Sequence, residues 1–216
     1  MGPGADDPQP MKVVCFDFGG VLVRISRSWA EACERAGIDR SGIELPTMNM
    51  LVASGNAARL QRGEIEFETF IAEEAVRLEH QLTPEELERV HAGWLVEEVT
   101  ELAPLVEALN QAGITTTSLS NTDAEHWKTL RGMEVIRKLR IPGLSFEMGL
   151  LKPDHRIYQE AEVLFDACGS SILFFDDLTE NIEAAMQCGW NAVLIDPMKP
   201  AVDQVRRGLE AFGIVL

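Results

Sequence analysis

The chain has 216 residues, 46% hydrophobic and 25% charged, and carries a formal net charge of −16. That is ordinary globular composition, with length enough for one full core plus a smaller insert. The acidic balance argues against nucleic acid or an anionic membrane as the main partner, and no apolar run approaches the about 18 residues that span a bilayer.

Residues 1–10, rich in Gly, Pro and Asp, read as a disordered tail without the apolar centre of a signal peptide. Cys15, Cys33, Cys168 and Cys188 are scattered, with no CxxC pair, and fit buried thiols in a reducing cytoplasm. The four histidines, His80, His91, His126 and His155, show no metal-binding spacing.

Val13-Val14-Cys15-Phe16 reads as a short buried strand, and Gly19-Gly20 as a tight turn after it. Asp17 stands between them, at the strand's C-terminal end. A carboxylate there is costly unless it is paired, bound to metal or reactive, and in open α/β sheets that edge is where ligands bind.

The pattern then turns helical. Trp29, Ala32, Cys33 and Ala36 recur at helical spacing, with Ser28 and Glu31 placed for a capping box and Gly37 as a stop. Helical pieces are expected over 46–53 and 56–61. Phe67, Phe70, Ile71 and Leu78 mark a longer helix. Thr83-Pro84-Glu85-Glu86 opens another, with Leu87, Val90, Trp94 and Leu95 as its apolar face. Residues 25–98 thus read as about four helices with no strand. Trp29 and Trp94 suit the core stripes of these helices better than substrate stacking, and Arg24 and Arg27 read more readily as solvated charges than as substrate contacts.

From Thr100 the chain alternates α and β. A helix around Leu105, Val106 and Leu109 ends at Gly113, and the strand 114–119 ends at Ser120-Asn121. A helix over 124–139, weakened by Gly132, precedes a strand near 144–146. Pro153 suits the first position of a helix carrying Ile157, Tyr158, Ala161 and Leu164. Ile172-Leu173-Phe174-Phe175 is an apolar strand ending in Asp176-Asp177. A helix over 181–187, a strand over 192–195 and an amphipathic helix through Val202, Val205, Leu209 and Phe212 complete the chain.

This alternation predicts an α/β fold, a Rossmann-like parallel sheet with helices on both faces. An all-helical insert after the first strand would sit above the sheet's C-terminal edge as a cap. The expected division is a core of 11–24 and 99–216 with a cap of 25–98.

The predicted strand ends bring Asp17, Ser120, Asp176 and Asp177 to one edge, with Lys152 on a nearby loop. Facing carboxylates make a hard-oxygen site suited to Mg²⁺ and phosphate oxygens. Lys152 could neutralise the carboxylate and a phosphoryl oxygen, and Ser120 could hold another. The roles fit a carboxylate nucleophile that forms an acyl-phosphate later split by water.

Four short motifs, in order, resemble those of the haloacid dehalogenase (HAD) superfamily of hydrolases over residues 11 to about 200. They are Cys15-Phe-Asp17-Phe-Gly19-Gly-Val-Leu22, Ser120 within Leu119-Ser120-Asn121-Thr122, Lys152 within Gly149-Leu-Leu-Lys152-Pro153-Asp154, and Phe175-Asp176-Asp177-Leu-Thr-Glu-Asn181. The insert resembles the superfamily's C1-type cap. Arg62-Gly63-Glu64-Ile65, Ser120-Asn121-Thr122 with Trp127, and Arg156-Ile157-Tyr158 resemble the branch of α-glucose-1-phosphatases and phosphatase-like domains of epoxide hydrolases.

The resemblance implies Asp17 as nucleophile and Mg²⁺ ligand, the Gly19 carbonyl and Asp177, with Asp176, as further ligands, and Ser120, Asn121 and Lys152 as phosphate-binding groups. Asn121 and Asn181 are alternatively supports for Lys152 or purely structural. The implied activity is Mg²⁺-dependent hydrolysis of a small phosphorylated metabolite, a hexose 1-phosphate favoured; with the cysteine usage above, the expected protein is a cytoplasmic monomer or homodimer. One departure stands out: Gly19 occupies the place where most phosphatases of the superfamily carry an Asp as general acid and base. Proton donation is worth about 10²–10⁴-fold, so turnover would then need a leaving group that wants little help. His126 is a conceivable stand-in acid, though a structural role suits it better. The rival readings are a weakly active phosphate- and metal-binding regulatory protein and, against the acidic pair, a 2-haloacid dehalogenase.

Overall fold

The computed structural model describes residues 11–39 and 55–216; the expected tail at 1–10 and the helical piece at 46–53 lie outside them. In chain order the first half runs β1 (Val13–Phe16), β2 (Val23–Ile25), α1 (Trp29–Arg35), α2 (Asn56–Gln61), α3 (Phe67–Arg77), α4 (Pro84–Ala92) and β3 (Leu95–Glu98). Then come α5 (Ala103–Gln111), β4 (Thr115–Ser120), α6 (Ala124–Leu130), α7 (Glu134–Arg137), β5 (Ile141–Leu144) and α8 (Ser145–Met148). The chain closes with α9 (His155–Phe165), β6 (Ile172–Asp176), α10 (Thr179–Gln187), β7 (Asn191–Leu194) and α11 (Ala201–Ala211).

The sheet is parallel throughout, in the order β5-β4-β1-β6-β7. β1 lies at its centre because it is apolar on both faces. Val14 and Phe16 pack with Val106 and Leu109 of α5 and Val205 and Leu209 of α11. Val13 and Cys15 pack with Ile157, Tyr158 and Phe165 of α9 and Ala185 of α10. Successive strand residues point to opposite faces, so a continuous apolar run requires a cover on each. Fully burying a side chain such as Phe16, Phe174 or Phe175 contributes about 1.5–3 kcal/mol. The chain builds outward from β1 through β4 to β5 on one side, then through β6 to β7 on the other. The reversal opens a crevice beside the end of β1, where α/β folds bind ligands.

The helices α1–α4 have their own core, including Trp29, Leu60, Phe70, Ile71, Leu87 and Val90. Trp29 and Trp94 meet edge-to-face with centroids 6.5 Å apart. Thr83 and Glu86 form the expected capping box. At α1 the motif is displaced by one residue: Ser28 accepts from the Glu31 N–H, but Glu31 accepts from Arg27, not Ser28.

The expectation of no strand within 25–98 is corrected. β3 pairs antiparallel with β2, setting Val23 opposite Glu98 and Arg24 opposite Glu97, and Arg24 and Glu97 form a cross-strand ion pair at 2.7 Å. Trp94 and Leu95 continue the apolar spacing of α4, but the helix stops at Gly93, so both lie beyond it. The resulting ribbon joins the helical insert to the sheet.

Three smaller differences concern where elements begin and end. The helix expected over 124–139 breaks around Gly132 into α6 and α7. The strand expected near 144–146 lies three residues earlier as an edge strand, where Pro142 is tolerated, and Phe146 falls in α8. Pro153 does not start α9. It follows a cis Lys152–Pro153 bond, and Asp154 caps the helix by accepting from the Arg156 N–H. No helix among the described residues is long and apolar enough to cross a membrane.

Candidate active site

Asp17 leaves β1 still in sheet register, its N–H donating to the Phe175 carbonyl at 2.8 Å. That bond fixes the carboxylate at the C-terminal edge, between Ser120 at the end of β4 and Asp176 at the end of β6. Lys152 enters from the loop before α9, 4% exposed, and its Nζ lies 2.6 Å from Asp176 Oδ2 and 3.0 Å from Asp17 Oδ1. The Phe174 ring lies beneath it, with the centroid 5.1 Å from Nζ.

Each of these charges is held by a further group. Asn121 accepts from the Lys152 N–H and donates to the Lys152 carbonyl, both at 2.9 Å, which fixes the backbone that carries the ammonium. Asn181 donates from Nδ2 to both oxygens of Asp176, and the Leu178 N–H donates to Asp176 Oδ1. The Asn181 carbonyl in turn accepts from the buried Tyr158 hydroxyl. Asp176 is therefore saturated, and its geometry is that of a group orienting Lys152.

Asp177 is different. Its one described partner is Arg27, which donates to Oδ2 at 3.0 Å from the segment between β2 and α1. Ligand oxygens of Asp17, Asp176 and Asp177 all lie within 4.8 Å of one another. Three carboxylates against Lys152 and Arg27 leave one negative charge uncompensated. Burial pushes the Asp17 carboxyl up to about 6, with the Lys152 ammonium pulling it down and Asp176 pushing it up again. Burial also raises the Asp177 carboxyl, against the opposing pull of Arg27. For Lys152 burial disfavours the charge, but Asp17 and Asp176 outweigh it and hold the ammonium above its usual range. Asp17 Oδ1, though close to Lys152, is a buried oxygen without a hydrogen bond. A surplus negative charge and an all-oxygen donor set fit a hard divalent cation.

Gly20 makes this approach possible. It adopts φ +77°, and a Cβ there would fall 2.3 Å from Asp177 Oδ2. Gly20→Ala combines left-handed strain with a displaced carboxylate; the expected result is loss of divalent-cation binding by calorimetry, with a stability loss of about 1–3 kcal/mol in urea unfolding. Gly19 beside it offers no acid and little room for one. A Cβ at that position would lie 3.1 Å from the Ile25 side chain, so the space on that flank of Asp17 is apolar.

His126 is not aimed at Asp17. Its Nδ1 lies 3.1 Å from Asp123 Oδ2 and its Nε2 bonds the His91 carbonyl at 2.9 Å, so both nitrogens are occupied. Trp127 stacks on Phe18 with centroids 6.0 Å apart, and Trp29 and Trp94 lie within the helical layer. The insert meets the loops after β4 and β5 directly. Ser145 Oγ reaches the Gln61 carbonyl at 2.7 Å and the Thr122 carbonyl at 2.9 Å, while accepting from the Thr122 N–H at 2.9 Å. Gly63 lies so close to the Phe146 carbonyl that a Cβ would come within 2.5 Å of its oxygen. The reading of Arg27 as a solvated charge misses its bond to Asp177, since nothing in its local sequence announces a partner 150 residues away. Asp123 is also absent from the sequence-based site; its position as N-cap of α6 was the available signal.

Comparison with known proteins gives a consistent context. A 74-residue segment is 38% identical to Phosphatase MT3486 of Mycobacterium tuberculosis (strain CDC 1551 / Oshkosh), covering 34% of this chain and 34% of that protein. The match thus spans about a third of the curated relative's length. The fold is similar to that of a predicted HAD-like family hydrolase from Porphyromonas gingivalis, with TM-score 0.78, 22% identity, and 93% and 98% of the two chains covered. It is also similar to the HAD family enzyme bt-2542 of Bacteroides thetaiotaomicron, solved as an Asp12Ala mutant with magnesium and inorganic phosphate, at TM-score 0.72 and 20% identity over 88% and 96% of the chains. Dehalogenases occur among the similar structures as well. The family model of haloacid dehalogenase-like hydrolases matches residues 11–189, and the chain belongs to that family.

Proposed function

We propose that this hydrolase is a Mg²⁺-dependent phosphatase acting on a small phosphate monoester, a sugar 1-phosphate favoured, through a phospho-aspartate on Asp17. The observation that carries the reading is Lys152 seated between Asp17 and Asp176, with Asp177 close by and surplus negative charge in the cluster. Magnesium and phosphate in a similarly folded enzyme, and a phosphatase among the relatives, agree with it. Asp17 and Asp177, with the Gly19 carbonyl, would hold the ion, and Mg²⁺ would supply charge neutralisation for the nucleophile and a phosphoryl oxygen.

In the first step an Asp17 oxygen bonds to phosphorus while the bond to the leaving oxygen breaks; that oxygen takes a proton from solvent, since no acid stands at Gly19. In the second, water attacks the phospho-aspartate, its proton passes to solvent, and Asp17 is freed with inorganic phosphate. Ser120 and Lys152 bind the phosphoryl oxygens, and Asn121, Asp176 and Asn181 hold Lys152 in place. Without a local acid, esters with stable leaving groups are favoured. The anomeric oxygen of a sugar 1-phosphate is a better leaving group than an ordinary alcohol, as the branch resemblance suggests. The helices α1–α4, read as a C1-type cap, would roof the pocket.

One observation favours a second reading. The apolar flank formed by Ile25 at Gly19 suits a phosphate-binding regulator with little turnover. Phosphate release from hexose 1-phosphates, hexose 6-phosphates and nucleotides, with Mg²⁺ or with EDTA, separates the two. Expected are turnover with the 1-phosphates preferred and a loss of at least about 10³-fold on chelation, in line with a metal worth several kcal/mol. Phosphate binding with no turnover on any ester favours the regulator, and chelator-resistant turnover contradicts the mechanism.

A further inference from the structure

A second cluster of buried charge lies where the helical insert meets the phosphoryl loop. His91 on α4 points Nε2 at Asp123 Oδ2 over 3.1 Å, and His126 Nδ1 reaches the same oxygen over 3.1 Å. The His91 and His126 rings stack with centroids 3.8 Å apart and planes 10° apart. Their side chains are 9% and 15% exposed, and that of Asp123 is 2% exposed.

The protonation states follow from the partners. The His91 carbonyl can only accept, so His126 Nε2 carries a hydrogen. Asp123 Oδ1 accepts from the Glu125 and His126 N–H groups, as an ionised N-cap does. The Nδ1 facing its other oxygen therefore carries a hydrogen as well, and His126 is an imidazolium. His91 donates Nε2–H to that oxygen and stays neutral, because a second cation stacked on the first would be repelled.

The electrostatics agree with these states. Burial opposes charge on His126, but the Asp123 carboxylate more than offsets it and raises His126 above the ordinary histidine range. Burial and the charge of His126 push His91 down. Burial works against the Asp123 charge too, and the bonds from the two rings outweigh it and hold the carboxyl far below its usual range. Glu125 on α6 adds a weaker pull on both rings and is itself paired with Lys128. From α3 the rings of Phe67 and Phe70 pack on His91, at 4.7 and 6.0 Å.

We infer that His91 is a positioning residue that clamps the insert onto the phosphoryl loop through a protonated His126, so that turnover fades as His126 loses its proton. Asp123 lies three residues beyond Ser120, so the clamp also steadies the phosphate-binding hydroxyl. Neutral His126 has one N–H for two buried acceptors, and leaving either the His91 carbonyl or Asp123 without a donor loosens the insert. Because His126 is raised in the folded state, the clamp is complete below the ordinary histidine range and is lost as pH rises through the shifted value. The dependence of turnover rests on the phosphatase reading, whereas the clamp itself does not. The same three side chains are close enough to ligate a cation, so a transition metal would compete with the clamp's protons.

The test uses the full chain. Imidazole NMR titration should show His126 losing its proton at higher pH than a free histidine. Hydrogen exchange along α4 and residues 120–126 should rise across the same pH interval. With p-nitrophenyl phosphate and Mg²⁺, wild-type kcat/KM should fall along that titration, and His126→Gln should lack the alkaline fall. His91→Phe keeps a ring but loses the donor; it should lower kcat/KM about 10- to 100-fold and raise exchange, while His91→Gln, which restores a donor, should recover most of both. A His126 that loses its proton no later than a free histidine would overturn the inference, as would exchange in His91→Phe equal to wild type. So would Zn²⁺ that displaces the imidazole protons and raises the melting temperature of wild type but not of His91→Phe. If titration and exchange behave as expected but the ester is not hydrolysed, the clamp stands and the phosphatase reading fails.

Discussion

Asp17→Asn should abolish turnover, by about 10⁴- to 10⁶-fold in kcat, the scale seen when a covalent nucleophile is removed. The amide keeps the size and backbone of the side chain but cannot attack phosphorus. The same substitution should leave the fold intact. Burial raises the Asp17 carboxyl to about 6, so the folded chain gains nothing from its negative charge at neutral pH. In metal-free buffer the melting temperature should equal or exceed that of wild type. Phosphate release and thermal unfolding on one preparation check both halves, and a variant that is folded and fully active would end the Asp17 mechanism.

Lys152→Met should fail in the opposite manner, losing stability along with activity. The side chain has the length of lysine without the ammonium, and two buried carboxylates, Asp17 and Asp176, lose their shared cation. Removing one partner of a buried ion pair costs about 3–5 kcal/mol. For a chain of this size that is a fall in melting temperature of roughly 6–20 °C. Mg²⁺ should recover part of the loss in wild-type-like fashion only if Asp17 and Asp177 still bind it, which differential scanning fluorimetry with and without the ion reads directly. An unchanged melting temperature would mean that Lys152 does not compensate the carboxylates.

What was legible in the sequence was whatever local pattern dictates. The uninterrupted apolar runs at 13–16 and 172–175 could only be covered on both faces, and they form β1 and most of β6. The ends of these strands and of the strand at 114–119 already put Asp17, Ser120 and Asp176 at one edge. Thr83-Pro84 announced α4 with its cap. The features that escaped depend on partners remote in sequence. β3 is a strand because β2 lies beside it, although its first residue continues the helical spacing of α4. Arg27 and Asp177 are 150 positions apart, and His91 gains its meaning from Asp123 and its neighbour His126. Charged side chains carry no periodic signature, so only the fold reveals whom they face.

Ser145 sets what any opening of the insert would cost at its contact with the loop after β4. Its hydroxyl has one hydrogen and two carbonyls within reach, that of Gln61 from the insert and that of Thr122 from the loop after β4. Swinging the insert away removes the first and leaves the second, so the proton turns to Thr122 and the buried hydroxyl keeps a partner throughout. The Gln61 carbonyl, released, meets water. At this contact, opening would exchange one hydrogen bond for another without leaving Ser145 unpaired inside the protein.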